Sequence, residues 1–98
     1  MSDLQNTVFA AVRARGYATG EYLHELRQQI LKAQEELGEC ARYVFDGRAI
    51  PASELADAVI PLLVAAALQG DDLEDAIRRK VAADVERGVR NERPALDA

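Results

Sequence analysis

Residues 49–68 read AIPASELADAVIPLLVAAAL, and this stretch decides the fold. It fits a helix that begins near Pro51, a residue favoured in the first helical turn, and ends near Leu68. Glu54 and Asp57 are its only charged residues. A helix that is apolar on nearly every side is expected to be buried among other helices. The stretch therefore predicts a buried helix in an all-α fold resembling a four-helix bundle.

Three further helices are predicted, because strand-like alternation of apolar and polar residues is nearly absent. Ser2 and Gln5 have the spacing of a capping box at the start of the first helix. Glycines at 16, 47, 70 and 88 follow the expected helix ends. The expected bounds of the three helices are Asp3–Arg15, Gly20–Phe45 and, starting at Asp71 or Asp72, a last helix that ends near Arg87.

Apolar residues recur every three or four positions in the second helix, which is typical of a helix with one buried face. This stripe is expected to lie in the core, and it consists of Leu23, Leu26, Ile30, Ala33, Leu37, Cys40 and Val44. A shorter stripe follows the last helix, and it consists of Leu73, Ile77, Val81 and Val85. The second helix is long for so small a domain, so we expect part of it to be covered by another subunit.

The composition limits the range of functions. The 98 residues suffice for one domain, expected at 1–90 with a frayed tail at 91–98. Seventeen acidic residues against twelve basic ones give a net charge of −5, which argues against nucleic acid as the main partner. The sequence shows no signal peptide, and its longest apolar run contains a proline and is shorter than the roughly 20 residues of a membrane span. A cytoplasmic protein that does not act at a membrane is expected.

Two pairs of carboxylates share one spacing. Glu36 and Glu39 lie one helical turn apart, as do Glu54 and Asp57, and a turn between the two helices would bring the pairs together. Four converging carboxylates suit hard cations such as Mg²⁺ or Mn²⁺. Two simpler interpretations stay open: an exposed face in which Lys32 pairs with Glu36, and acids that stabilise the start of the third helix through its dipole.

The order of these motifs resembles that of a known family. EELGE at 35–39 and ELAD at 54–57 are similar to the EExxE and ExxD motifs of the MazG-like all-α nucleoside triphosphate pyrophosphatases. The resemblance extends over roughly residues 20–90. It implies an enzyme that cleaves a nucleoside triphosphate between the α- and β-phosphates, releasing a monophosphate and pyrophosphate. The activity so implied would serve to clear the nucleotide pool.

The resemblance also implies a division of roles among the acids. Glu36, Glu39, Glu54 and Asp57 would hold Mg²⁺, with Mn²⁺ as a substitute. Glu35 would orient or deprotonate the attacking water, as a carboxylate beside the metals that is not consumed as a ligand can do.

The family carries a further polar set on the last helix. Lys80, Asp84 and Arg87 have the matching positions and would contact the substrate phosphates. Family members often have asparagine where this chain has Asp84. An exposed helix face laced with salt bridges is the other interpretation of these three residues.

Two other functions stay open beside the leading hypothesis. One is a phosphoribosyl-ATP pyrophosphohydrolase, whose fold and acidic motifs resemble those of the same family. The other is a non-catalytic helical adaptor, in which the acids would be an exposed rim. In the enzyme, a homodimer or homotetramer is expected, because the motif helices are too few and too short to enclose a nucleotide alone.

Overall fold

A computed structural model describes residues 2–15 and 21–90, which form four α-helices and no strand. The helices are α1 Asp3–Ala14, α2 Tyr22–Phe45, α3 Ala52–Leu68 and α4 Leu73–Arg90. The all-α prediction is therefore confirmed, and the helix ends that fall in the described residues lie within about three positions of those expected. The predicted start at Gly20, the glycine at 16 and the tail at 91–98 lie outside the described residues.

One predicted helix end is wrong. Gly88 was expected to follow the last helix, yet α4 continues through it to Arg90. An exposed glycine inside a helix costs only about 1 kcal/mol relative to alanine, so one glycine does not by itself end a helix. The glycines that do end helices, Gly47 and Gly70, have positive φ angles of 69° and 78°, which other residues adopt at a cost.

Helices α2 and α3 form an antiparallel pair around a short turn. The turn is closed by two backbone hydrogen bonds, from the Gly47 amide to the Val44 carbonyl at 3.0 Å and from the Arg48 amide to the Tyr43 carbonyl at 2.8 Å. These bonds satisfy carbonyls that the end of α2 would otherwise leave without partners. The α1 helix also packs on α3. The α3 helix is thus the central element of the fold.

Most of the buried apolar residues gather around the second half of α3, where it meets α1 and α2, and Cys40 lies against its first turn. Among the described residues they are Val12, Ala33, Cys40, Pro61, Leu63, Val64, Ala65, Ala66 and Ala67. Most are small, so the helices approach closely. The expectation that all of α3 is buried is wrong for one face of its first eleven residues, since Leu55, Val59 and Leu62 are 48%, 47% and 42% exposed. No other helix of residues 2–15 and 21–90 covers that face.

The predicted core stripe of α2 is only half correct. Ala33 and Cys40 face α3 and are buried, whereas the residues at the other seven-residue spacing are exposed. That exposed set consists of Leu23, Ile30, Leu37 and Val44. The two sets together have the spacing of the two core positions of a heptad repeat. In one chain, α3 covers only one of them.

Helix α4 turns sharply away from α3, at 105°. Its direction is set by Gln5 of α1, which is fully buried. The Gln5 side-chain amide donates to the carbonyls of Leu63 at 3.3 Å and Asp71 at 2.8 Å, and its oxygen accepts from the Leu73 amide at 2.9 Å. The predicted capping box forms only in part: the Ser2 hydroxyl accepts from the Gln5 backbone amide, but the Gln5 side chain is used to hold the α3–α4 turn.

No single helix in the described ranges has the length and apolar character needed to cross a membrane. Taken together, α3 and α4 satisfy that requirement only as a pair bent by 105°.

Candidate metal centre

Glu36 lies at the centre of a group of carboxylates between α2 and α3. One carboxylate oxygen each from Glu36, Glu54 and Asp57 lies within 4.8 Å of the other two. Because α2 and α3 run antiparallel, the middle of α2 faces the first turns of α3. Three of the four acids noted in the sequence are therefore brought together in space, and Glu39 is not among them.

A second group shares Glu36 and extends along α2. Oxygens of Glu35, Glu36 and Glu39 also lie within 4.8 Å of one another. Glu36 is buried, with its side chain 10% exposed, whereas the Glu35 side chain is 63% exposed. We call the five residues Glu35, Glu36, Glu39, Glu54 and Asp57 the acidic cluster. It has one buried carboxylate at its centre and more accessible ones around it.

Lys32 supplies the nearest positive charge to the acidic cluster. Its ammonium lies 3.0 Å from a Glu36 oxygen and 3.9 Å from a Glu35 oxygen. The hydrogen bond to Glu36, followed by the charges of both glutamates, raises the pKa of Lys32. The i,i+4 pair considered for the sequence is thus formed. Lys32 therefore partly neutralises Glu36, the buried carboxylate of the acidic cluster.

The pKa of Glu39 reflects the repulsion between carboxylates of the acidic cluster. The charge of Glu36 is the main reason that the pKa of Glu39 is raised, with desolvation as the next contribution. A carboxyl whose pKa is raised on folding favours the folded state below its unfolded pKa, and this contribution is lost as the pH rises through its folded pKa. At neutral pH the ionised Glu39 carboxylate therefore opposes folding, and a cation that neutralised its surroundings would remove this effect.

Cys40 joins the two helices that carry the acidic cluster. It is 2% exposed, and its thiol donates to the Glu54 backbone carbonyl at 3.3 Å. Burial, followed by the charge of Glu54, raises the pKa of the Cys40 thiol, so it stays protonated and can donate. This contact fixes the first turn of α3 against α2, and with it the position of Glu54.

Two clefts border the acidic cluster. The first, which we call the loop-side cleft, has a volume of about 270 Å³ and lies at the α2–α3 turn. Its lining residues are Glu39, Arg42, Tyr43, Asp46, Arg48 and Glu54. The second, the α1-side cleft, has a volume of about 290 Å³ and includes Val12, Arg15, Lys32, Glu36, Asp57 and Ile60. The acidic cluster thus forms the wall between a polar cleft and a more apolar one.

The three candidate phosphate-binding residues of α4 lie elsewhere. Lys80 and Arg87 both pair with Asp84, Lys80 at 3.2 Å. The side chain of Lys80 is 66% exposed, that of Arg87 59% and that of Asp84 49%. None of the three residues lines either cleft. The salt-bridged face considered for the sequence is present, and within one chain these residues do not meet the acidic cluster.

Comparison of the chain with models of protein families, with curated proteins and with solved structures finds no match in any of the three. The resemblance to the MazG-like pyrophosphatases therefore rests on the sequence motifs and stays a prediction.

Sequence reasoning did not single out Arg42 and Arg48 as site residues. Arg42 lies three positions after Glu39, which places it one turn further along the same face of α2. Arg48 directly follows Gly47, whose positive φ turns the chain back toward α3. The helical spacing of Arg42 from the EExxE motif was the available signal. The position of Arg48 follows only from the conformation of the turn.

Proposed function

We propose that the protein is a Mg²⁺-dependent nucleoside triphosphate pyrophosphohydrolase that converts a (d)NTP and water to the (d)NMP and pyrophosphate. The observation that carries the proposal is the meeting of Glu36 with Glu54 and Asp57 between antiparallel helices. The motifs EELGE at 35–39 and ELAD at 54–57, which resemble the EExxE and ExxD motifs of the family, supply these three residues. The proposal extends to a role in clearing the nucleotide pool.

The donor set of the acidic cluster fits a hard divalent cation. Glu36, Glu39, Glu54 and Asp57 present only carboxylate oxygens, the ligands that Mg²⁺ and Mn²⁺ prefer. Their spacing within 4.8 Å, in two groups that share Glu36, gives a charge density that a cation would relieve. When bound, Mg²⁺ would neutralise the triphosphate and polarise the phosphorus under attack.

Glu35 is the carboxylate that acts on the water in this proposal, the role that the family resemblance implies. It borders Glu36 and Glu39, yet its own side chain is 63% exposed and contacts Lys32 only at 3.9 Å. In the proposed reaction Glu35 takes a proton from water as the water oxygen bonds to the α-phosphorus. The bond from that phosphorus to the bridging oxygen breaks, and pyrophosphate leaves with the electron pair.

We further propose that the enzyme is a homodimer or homotetramer. Its Cα radius of gyration is 16.3 Å, against about 13 Å for a compact domain of 100 residues. Exposed apolar stripes follow α2 and α4, the latter including Ile77, Val81 and Val85 at 52%, 54% and 63% exposure. A stable interface buries about 800 Å² per partner, which stripes of this length can supply. A monomer found by light scattering at assay concentrations would contradict the proposal.

In such an assembly α4 could bring its polar residues to the acidic cluster of another subunit. Lys80 and Arg87 pair with Asp84 in the isolated chain, and in the assembly they would exchange this exposed partner for phosphate oxygens of the substrate. This assigns the expected phosphate contacts of Lys80, Asp84 and Arg87 to an intersubunit site.

A product assay tests the reaction. The protein is incubated with each dNTP and NTP in Mg²⁺, and the products are separated. Monophosphate and pyrophosphate are expected, with a turnover in the usual range of about 1–10³ s⁻¹ on the preferred substrate. Diphosphate and phosphate would refute the cleavage position. Release of pyrophosphate from phosphoribosyl-ATP alone would favour that alternative enzyme.

Metal dependence separates the enzyme from a non-catalytic adaptor. Binding to the folded state alone adds about 2.7 kcal/mol of stability at a cation concentration 100 times the Kd, because the repulsion around Glu36 is relieved. Thermal unfolding in Mg²⁺ is therefore expected at a higher temperature for the wild type, but not for Glu36→Gln or Glu54→Gln. Glu74→Gln on exposed α4 is the matched control and should respond like the wild type. A wild type that does not respond would favour the adaptor.

A further inference from the structure

The proposed reaction raises a problem of charge. A triphosphate brings several negative charges to a site that already holds five carboxylates, and Lys32 is engaged by Glu36 at 3.0 Å. The α4 residues Lys80 and Arg87 pair with Asp84 away from the clefts. Positive groups that border the acidic cluster and have no carboxylate partner are therefore the ones of interest.

Arg42 and Arg48 meet this condition. Both line the loop-side cleft together with Glu39 and Glu54, and neither makes an ion pair with any residue of the described ranges. Asp46 also lines this cleft, but it forms no ion pair with Arg42 or Arg48. Two guanidinium groups thus lie on the same side of the acidic cluster.

The position of Arg48 is held by the turn. Its guanidinium carbon lies 4.6 Å from the centre of the Tyr43 ring, within the range of a cation–π contact. Its backbone amide donates to the Tyr43 carbonyl at 2.8 Å. Stacking leaves the edge of the guanidinium, with its N–H groups, available to another ligand. A preorganised arginine loses less conformational freedom on binding an anion.

We propose that Arg42 and Arg48 bind the β- and γ-phosphates of the substrate in the loop-side cleft, and therefore the pyrophosphate product. This inference rests on the proposed function. Guanidinium groups recognise phosphate oxygens with two parallel hydrogen bonds. Because Glu39 and Glu54 line the same cleft, an anion bound there lies beside the carboxylates proposed to hold the metal.

The α1-side cleft is less suited to this end of the substrate. Its walls include the apolar side chains of Val12 and Ile60, and its lysine is the one paired with Glu36. It contains one further basic residue, Arg15. Arg15 provides the competing location for the phosphates, and the experiment includes it for that reason.

Binding of pyrophosphate in saturating Mg²⁺, measured by calorimetry, tests the inference. Arg42→Gln and Arg48→Gln are each expected to weaken binding by about tenfold or more, since hydrogen bonds to charged groups are the strong ones. Arg48→Lys should lose part of that affinity, because the charge stays and the paired hydrogen bonds do not. Binding of Mg²⁺ alone and of the monophosphate product should be unchanged. Arg27→Gln, on the same helix but in neither cleft, is the matched control.

The outcomes separate this inference from the proposed function. If the wild type hydrolyses a dNTP but the double variant Arg42→Gln, Arg48→Gln binds pyrophosphate as the wild type does, only the inference is overturned. The same holds if Arg15→Gln is the variant that weakens binding. If the wild type neither hydrolyses a triphosphate nor binds pyrophosphate, both are overturned. Circular dichroism of each variant establishes that the helices are retained.

Discussion

Replacing Glu35 with glutamine is expected to lower kcat by roughly 10²–10⁴-fold, the usual contribution of a general base, while Mg²⁺ affinity changes little. The reason is the difference in position between neighbouring acids. Glu36 is buried where α2 meets α3, whereas the Glu35 side chain is 63% exposed at the edge of the acidic cluster. Glutamine keeps the size of the side chain but cannot take a proton. Turnover and calorimetric Mg²⁺ binding are the two measurements.

Two further variants make this result interpretable. Glu36→Gln is expected to lose both metal binding and turnover, because Glu36 belongs to both carboxylate groups. Glu74→Gln, an exposed acid that pairs with Arg78, should lose neither. If Glu35→Gln also loses Mg²⁺ binding, the separation between a base and a set of ligands is wrong.

Gln5→Ala is expected to destabilise the protein by roughly 3 kcal/mol. Three hydrogen bonds are lost at once, each contributing about 1 kcal/mol in a typical site, and the partly buried groups left behind lose their partners. Those groups are the Leu63 and Asp71 carbonyls and the Leu73 amide. Urea unfolding at pH 7 measures the difference. A loss below 1 kcal/mol would mean that Gln5 does not hold the α3–α4 turn.

Gln5→Glu gives the same position a pH dependence. The introduced carboxylate faces the Leu63 and Asp71 carbonyl oxygens in a buried site, which raises its pKa above the value of about 4.3 for an exposed glutamate. The raised pKa means that stability is closest to the wild type below about pH 4 and is lost as the pH rises through the folded pKa. Gln69→Ala, at an exposed glutamine of the same turn, introduces no titratable group and should follow the wild type within about 0.5 kcal/mol at every pH.

The helices could be predicted from the sequence, because their signals are local. Gly47 and Gly70 mark real helix ends, and the apolar spacing of α2 and α3 is evident without a structure. The prediction of which faces are buried failed more often. An apolar stripe such as Leu23 to Val44 indicates that one face of the helix packs against something, but it does not show whether the packing surface belongs to the same chain.

The candidate site was foreseen in part for a similar reason. The spacing of Glu36, Glu54 and Asp57, with one short turn between two helices, is enough to bring these carboxylates together. The position of Arg48 depends on the conformation of the turn, and the role of Gln5 depends on a contact with residues 58 to 68 positions away. Neither periodicity nor motif spacing contains such long-range or turn-specific information.

The exposure of α4 has a consequence for how the chain unfolds. The side chains of residues 74–88 are all exposed, so the helix depends on local terms such as the Glu74–Arg78 and Asp75–Arg79 pairs. Most of the stability of a helix in a protein comes from the packing of its apolar face, which α4 lacks in one chain. In an isolated chain we therefore expect α4 to melt before the α2–α3 core, which departs from two-state behaviour. A second subunit packed on the apolar face of α4 would stabilise this helix. Ordering of α4 and association of the subunits would then be one concentration-dependent step.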